Sequence, residues 1–305
     1  MNAKITLSTI LLCAAPAAYA QEVTSVDAGL TFSTLSADGD ELNSTTLAVS
    51  GVVKIGQVTA FGSLYSSTLD FEGLDSLTVT SFGIGGEYAI TSAFSAGLEF
   101  TTVDLHEAGY ISSSAIFASY AFGAAEAGLA FGQFSADGGF LGEGDIDFVN
   151  AFLTYDVSDD AIVGLTYYDL DDVDGDNLTV LELFAELDTD QYEVVASYID
   201  FGDFDLSIFA LGGSYEVFEN FHLLGEYSSV GIEDENLSSY SIGAGYEVIT
   251  DLMLFASFGK TEIGDEEADN VAFGARYNVG KLKGGYQSAG GVFADLLGDG
   301  LLLGF

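Results

Sequence analysis

A strict two-residue alternation recurs along this chain, and it restricts the possible folds more than any single motif does. From Tyr240 to Val248, the residues Tyr240, Ile242, Ala244, Tyr246 and Val248 fall on one face of an extended strand, and Ser241, Gly243, Gly245 and Glu247 on the other. The same period runs through Tyr192 to Tyr198 and Phe94 to Phe100. Glycine, tyrosine and phenylalanine disfavour helix in such stretches. No segment beyond the first twenty residues approaches the ~18 consecutive apolar residues of a transmembrane helix. Each stretch is about ten residues long, the length a tilted membrane-spanning strand needs.

The alternating stretches belong to a larger repeat. Ile84 to Ile90, Leu211 to Val217, Ile242 to Val248 and Phe273 to Val279 share an apolar-Gly-x-x-Tyr pattern, each followed by a short turn. Tyr120 and Tyr155 occupy matching positions, and Leu187 fills one slot without an aromatic. Tyr88 to Tyr277 is 189 residues, so six intervals average 31.5, the size of a two-strand hairpin. Dividing 285 residues (21–305) by 31.5 gives about nine hairpins. Rising strands fall near 24–34, 57–67, 93–103, 124–134, 160–170, 190–200, 220–230, 252–262 and 281–288. Falling strands fall near 44–54, 77–89, 110–122, 147–157, 178–187, 206–217, 238–249, 270–279 and 292–305. The expected architecture is therefore an all-β antiparallel up-and-down barrel of eighteen strands. Sixteen is the runner-up, because Gly290-Gly291 and Asp299-Gly300 interrupt the last hairpin.

Composition separates a barrel in lipid from other all-β folds. The 305 residues include 48 acids and only 6 Lys or Arg, yet 49% are hydrophobic, with 24 Phe and 16 Tyr. A disordered acidic chain would lack the aromatics, and six cations cannot neutralise a nucleic-acid backbone. Residues 1–20 read as a secretory signal peptide: Lys4, an apolar run from Ile5 to Ala15, and Ala18-Tyr19-Ala20 before Gln21. Its removal would take away Pro16 and Cys13, the chain's one Pro and one Cys. Residues 21–305 would form a single barrel domain without Cys or Pro, which suits an unbroken ladder where water cannot satisfy the backbone. The competing reading, aromatics packed inside a soluble sandwich, leaves the export signal and the repeat unexplained.

Connections after the Tyr positions are short, such as Glu219-Asn220 and Thr250-Asp251. The opposite ones are longer and acidic: Ser36 to Asn43, Asp137 to Asp145, Asp171 to Asn177, Gly231 to Asn236 and Gly264 to Asn270. Outer-membrane barrels have short periplasmic turns and longer external loops, so the Tyr side would face the periplasm. Tyr88, Tyr120, Tyr155, Tyr215, Tyr246 and Tyr277 would then form an aromatic girdle at the inner membrane boundary.

Strand parity points Glu87, Glu99, Asp156, Glu182, Glu186, Glu193, Glu216, Glu226 and Glu247 into the lumen, because their neighbours on either side are apolar. Lys54, Arg276, Lys281 and Lys283 fall on the same face near short turns. An interior dominated by acids would favour cations, with a basic cluster at the seam creating a transverse field.

Other motifs are weak. Asp172 to Asn177 begins like a calcium loop, but its twelfth position would be Leu183 rather than Glu. Loosely held divalent cations at the acidic external loops are the most it suggests. His106 and His222 lie far apart in strand order, with no nucleophile motif near either, so no cofactor and no enzymatic activity are expected.

Together, the export signal, hairpin repeat, acidic external loops and terminal Leu301-Leu302-Leu303-Gly304-Phe305 resemble a Gram-negative general porin, most closely the acidic porins of alphaproteobacteria. The resemblance covers residues 21–305. It implies an outer-membrane diffusion channel for small hydrophilic solutes and ions, a homotrimer, and recognition of Phe305 in the last strand by the barrel-assembly machinery. In such porins a long third external loop folds into the pore, whereas the third loop here, about Leu105 to Gly109, is short. A non-conducting structural or adhesive barrel would share the same pattern.

Overall fold

The protein is described by a computed structural model over residues 22–280, apart from the connecting segments 38–39, 72–75, 107–108, 138–143, 172–176, 203–204, 233–234 and 264–265. Alternating residues become sixteen strands: β1 (Glu22–Ala37), β2 (Asp40–Ile55), β3 (Val58–Phe71), β4 (Leu77–Ala89), β5 (Phe94–Asp104), β6 (Tyr110–Phe122), β7 (Ala125–Asp137), β8 (Gly144–Ser158), β9 (Ala161–Asp171), β10 (Asn177–Asp188), β11 (Tyr192–Asp200), β12 (Leu206–Phe218), β13 (Phe221–Ile232), β14 (Glu235–Ile249), β15 (Leu252–Ile263) and β16 (Glu266–Gly280). Each pairs antiparallel with its sequence neighbours, and β1 also pairs with β16, so the sheet closes on itself.

This closure corrects the strand number from eighteen to sixteen. Leu30 faces Leu47 of β2 on one side and Ala275 of β16 on the other, which occupies both hydrogen-bonding edges of β1. No edge remains for a ninth hairpin. Dividing length by repeat counts residues 281–288 and 292–305 as strands; these lie outside the described residues, as do the signal segment 1–20, Lys281, Lys283 and Phe305.

The expected difference between the two ends is partly corrected as well. Short turns at one end include 56–57, 123–124, 219–220 and 250–251. Their tight geometry needs a left-handed residue, supplied by Gly56 (φ 64°), Gly123 (φ 73°), Asn220 (φ 66°) and Asp251 (φ 67°). At the other end, three of the connections expected to be long, 38–39, 233–234 and 264–265, are two residues each. Many acids assigned to loops therefore stand on strand extensions, including Glu41, Asp137, Asp145, Asp171, Glu267 and Asp269. The β7–β8 connection, 138–143, is the longest at this end.

The two faces of the sheet differ sharply. In β4, Val79, Ser81, Gly83 and Gly85 are buried while Phe82, Ile84 and Tyr88 are exposed, so odd positions point inward. Around the barrel the outward side presents exposed apolar residues such as Ile242 (72%), Ile116 (65%) and Leu98 (63%). A belt of this kind is too large for a free soluble surface.

Part of the inner face is not polar, contrary to the alternation rule. Phe117, Phe148 and Phe152 are buried inside, and Phe61 and Phe184 share that face. Each of these five rings lies over an inward glycine of the neighbouring strand: Phe61 over Gly85, Phe117 over Gly97, Phe148 over Gly132, Phe152 over Gly128 and Phe184 over Gly164. A Cβ on those glycines would fall 2.0–2.4 Å from ring carbons, so glycine provides the recess in which the ring lies flat. Towards the long-loop end Phe134, Tyr168, Leu170, Val180, Ile199, Ile208 and Val230 continue the packing as one apolar cluster.

Candidate functional site

Among the described residues, the charges that the alternation singles out stand on inward-facing positions of the barrel. Glu87 shares its face with buried Val79 and Ser81, and Glu99 shares its face with buried Ser95 and Thr101. Asp156 opposes buried Ile162, and Glu182 opposes buried Thr166 and Ile199. Glu186 sits further along the inward side of β10, against Ile162 and Val195, and Glu193 opposes Asp188. Glu216 faces His222, Glu226 faces Gly212 and Ser241, and Glu247 faces Met253, all on inward positions. Lys54 and Arg276 are inward too, on β2 and β16.

These acids are not equivalent. Glu99 and Glu182 are each only 3% exposed and lie against the packed side of the interior, whereas Glu226 is exposed. Two acids near the short turns also hold the turns themselves. The Asn220 amide donates to the Glu216 carboxylate at 3.1 Å, and the Asp251 amide donates to Glu247 at 2.7 Å. Those two amides belong to the residues with left-handed backbone, so a wall charge and a turn cap are the same side chain.

Arg276 joins two carboxylates from different strands. Its Nε donates to Asp27 Oδ2 at 3.0 Å, and its Nη2 lies 3.0 Å from the same oxygen. Nη2 also reaches Glu193 Oε1 at 3.5 Å. Asn278 Nδ2 donates to Asp27 Oδ2 at 3.1 Å, fixing the carboxylate from the next inward position of β16. Asp27 is on β1 beside Arg276, but Glu193 is on β11, five strands away in barrel order. Sequence reading places Arg276 at the seam and offers no partner on β11, because parity gives the face of a residue and not what lies opposite.

Glu126 of β7 escapes the sequence reading. It opposes Thr154 on an inward position and lies close enough to Glu87 to interact with it electrostatically, as does Lys54. Alanine and glycine on both faces of β7 hide its phase in the sequence. The inward aromatic rings leave a clearer signal: in Ile116-Phe117, Tyr167-Tyr168 and Leu183-Phe184 two large apolar residues are adjacent, and one of each pair must turn inside.

The six girdle tyrosines all point outward at the short-turn end, Tyr88, Tyr120, Tyr155, Tyr215 and Tyr246 being about half exposed. Tyr88 donates its hydroxyl to Gln57 in the neighbouring turn at 2.8 Å. Further from the short turns, Phe100, Phe131, Tyr167, Tyr227 and Phe258 are also exposed on the outer face. His222 is inward and His106 lies between β5 and β6 with φ 58°. Among the described residues no three histidine or acidic groups converge as a metal site, and most of the calcium-like run, residues 172–176, lies outside them.

No protein-family model matches the chain, and no curated protein matches it. Solved structures of outer-membrane channels align with most of it at low similarity. OpdQ of Pseudomonas aeruginosa has 9% identity, with 84% of this chain and 98% of its own covered and a TM-score of 0.48. A triple mutant of the Rhodopseudomonas blastica porin has 11% identity, coverage of 85% and 100%, and a TM-score of 0.43. CymD, a monoaromatic hydrocarbon channel, has 13% identity, coverage of 87% and 91%, and a TM-score of 0.47.

Proposed function

We propose that the protein is a Gram-negative outer-membrane porin: a water-filled channel for passive diffusion of small hydrophilic solutes and ions, with a preference for cations. The observation that carries this reading is the inverted polarity of the barrel. Large apolar side chains are exposed outside, while Glu193, Glu216, Glu226, Glu247 and Arg276 stand on the inner wall. Lipid accounts for the first and water for the second.

The reading includes export through the segment 1–20, assembly through the terminal Phe305, a homotrimer in the membrane, and loose divalent cations at the acidic external rim. The acids lower the electrostatic potential of the lumen and so raise the local concentration of cations. Outer-membrane fractionation followed by planar-bilayer recording tests the reading. It expects heat-modifiable barrel migration, stepwise conductance, and a reversal potential on the cation side in a salt gradient. Recovery from the soluble fraction, or silence in the bilayer, would overturn it.

A non-conducting structural barrel is the second reading, and the apolar cluster from Phe134 to Val230 inside the long-loop end favours it. The same recording separates the two, because a structural barrel gives heat-modifiable migration without conductance.

A further inference from the structure

The inner wall is unequal round its circumference, and Arg276 connects two parts of it that are far apart. Five interstrand steps of ~4.8 Å separate β16 from β11 along the wall, about 24 Å, so Arg276 and Glu193 meet only by projecting off the wall across the interior. Water reaches this contact: the side chains of Arg276, Asp27 and Glu193 are 41%, 22% and 31% exposed. The inward glycines on this side are mixed: a Cβ on Gly243, Gly245 or Gly259 would fall 2.1–2.6 Å from a neighbouring atom, but Gly29 and Gly212 are unobstructed. A Cβ on Gly29, which opposes Arg276, would meet nothing within 4 Å, and one on Gly212 would meet only Glu226 Cγ, at 3.6 Å. On β4 to β9, by contrast, phenyl rings cover five inward glycines, against one on β11 to β16, Gly274 under Phe255.

We infer that the bridge Asp27–Arg276–Glu193 is the size- and charge-selecting constriction of the pore, and that solutes pass it on the β11–β16 side, away from the packed phenyl wall. The inference rests on the channel reading and adds the position of the path and the residue that narrows it. The bridge stands near the short-turn end, four residues before the end of β16 and one after the start of β11. A constriction there is made by wall side chains alone. Two carboxylates flank one guanidinium, and Glu226 stands beyond them, so a passing cation meets a net negative surface while Arg276 limits the cross-section and opposes its charge. Arginine suits this position because its planar fork holds two carboxylates at once and stays protonated at any working pH.

Single-channel recording and thiol labelling test the two halves separately. Arg276→Ala should raise unitary conductance about twofold or more and move the reversal potential further to the cation side, since both a blocking side chain and a positive charge are removed. Glu193→Gln should also raise conductance, by releasing one end of the bridge, while reducing cation preference. If the wild type conducts and neither variant changes unitary conductance, the bridge is not the constriction.

For the path, Glu226→Cys and Thr166→Cys in a Cys13→Ser background are treated, as folded full-length protein, with a trimethylammonium methanethiosulfonate. The thiol introduced at position 226 should be modified at least about tenfold faster than the one at the buried β9 site, the ratio set by water access. Equal rates would overturn the lateral path. A silent wild type with unequal labelling would defeat the channel reading and leave the placement of the water-filled side standing.

Discussion

Gly128 and Gly29 show how differently one residue type behaves on two parts of the same wall. A methyl group on Gly128 would fall 2.3 Å from the Phe152 ring and 2.7 Å from the backbone oxygen of Ala118, and that oxygen cannot move aside cheaply. Gly128→Ala should therefore destabilise the barrel by roughly 1–3 kcal/mol, the usual range for overpacking. Gly29→Ala should change stability by less than ~0.5 kcal/mol, as surface substitutions do. Guanidinium unfolding midpoints of the two detergent-folded variants check the contrast, and equal midpoints would show that the phenyl rings do not rest on the wall as described. Strand parity makes the face of Glu226 or Arg276 legible in the sequence, since a period of two needs only local information. It could not reveal that Phe152 lies on Gly128 or that Arg276 meets Glu193, because both contacts depend on interstrand register and barrel shape.

At the scale of the strand, the acids near the short turns have a structural duty that changes how selectivity should be tested. Replacing Glu216, Glu226 and Glu247 together by Gln removes three negative charges yet keeps the side-chain oxygens that accept the Asn220 and Asp251 amides. The triple Gln variant should fold normally and show a reversal potential shifted towards zero. An unchanged potential would mean that these strands do not line the conducting path. Glu247→Ala, by contrast, should cost roughly 0.5–1.5 kcal/mol through loss of the 2.7 Å turn bond, which an unfolding midpoint reads. The hairpin as a unit is legible from the spacing of its tyrosines. Loop lengths are not, because polar residues such as Asp137 and Asp145 read as loop when they are the exposed ends of long strands.

At the scale of the whole barrel, closure is the feature that a covalent bond can test. Leu30 of β1 and Ala275 of β16 are direct partners. Opposed antiparallel residues have Cα atoms ~4.5–5.5 Å apart, within the ~4.4–6.8 Å that a disulfide accepts. Leu30→Cys with Ala275→Cys, in a Cys13→Ser background, should oxidise to an intramolecular disulfide that changes gel migration without breaking the barrel. Failure to cross-link in the folded protein would argue for a different seam. The strand number is the part of the fold least accessible to sequence arithmetic, since a repeat length says how many hairpins a chain could hold and not which strand meets the first.

Several strands at the acidic end are longer than a bilayer requires. A strand such as β8, with 15 residues, is about 50 Å long at ~3.3 Å per residue, and at a tilt near 45° it rises some ~35 Å against an apolar band of ~25 Å. The surplus carries Asp145 and Asp147 on hydrogen-bonded backbone, so their positions are fixed as loop charges would not be. A rigid crown of anions acts on ions before they enter. Its reach is the Debye length, ~10 Å at 0.1 M and ~30 Å at 0.01 M. Dilution of the electrolyte should therefore strengthen cation enrichment at the entrance, and conductance should fall less than in proportion to salt below ~0.1 M. Arrival at the mouth, and not only passage through the narrow point, would then govern flux in dilute surroundings.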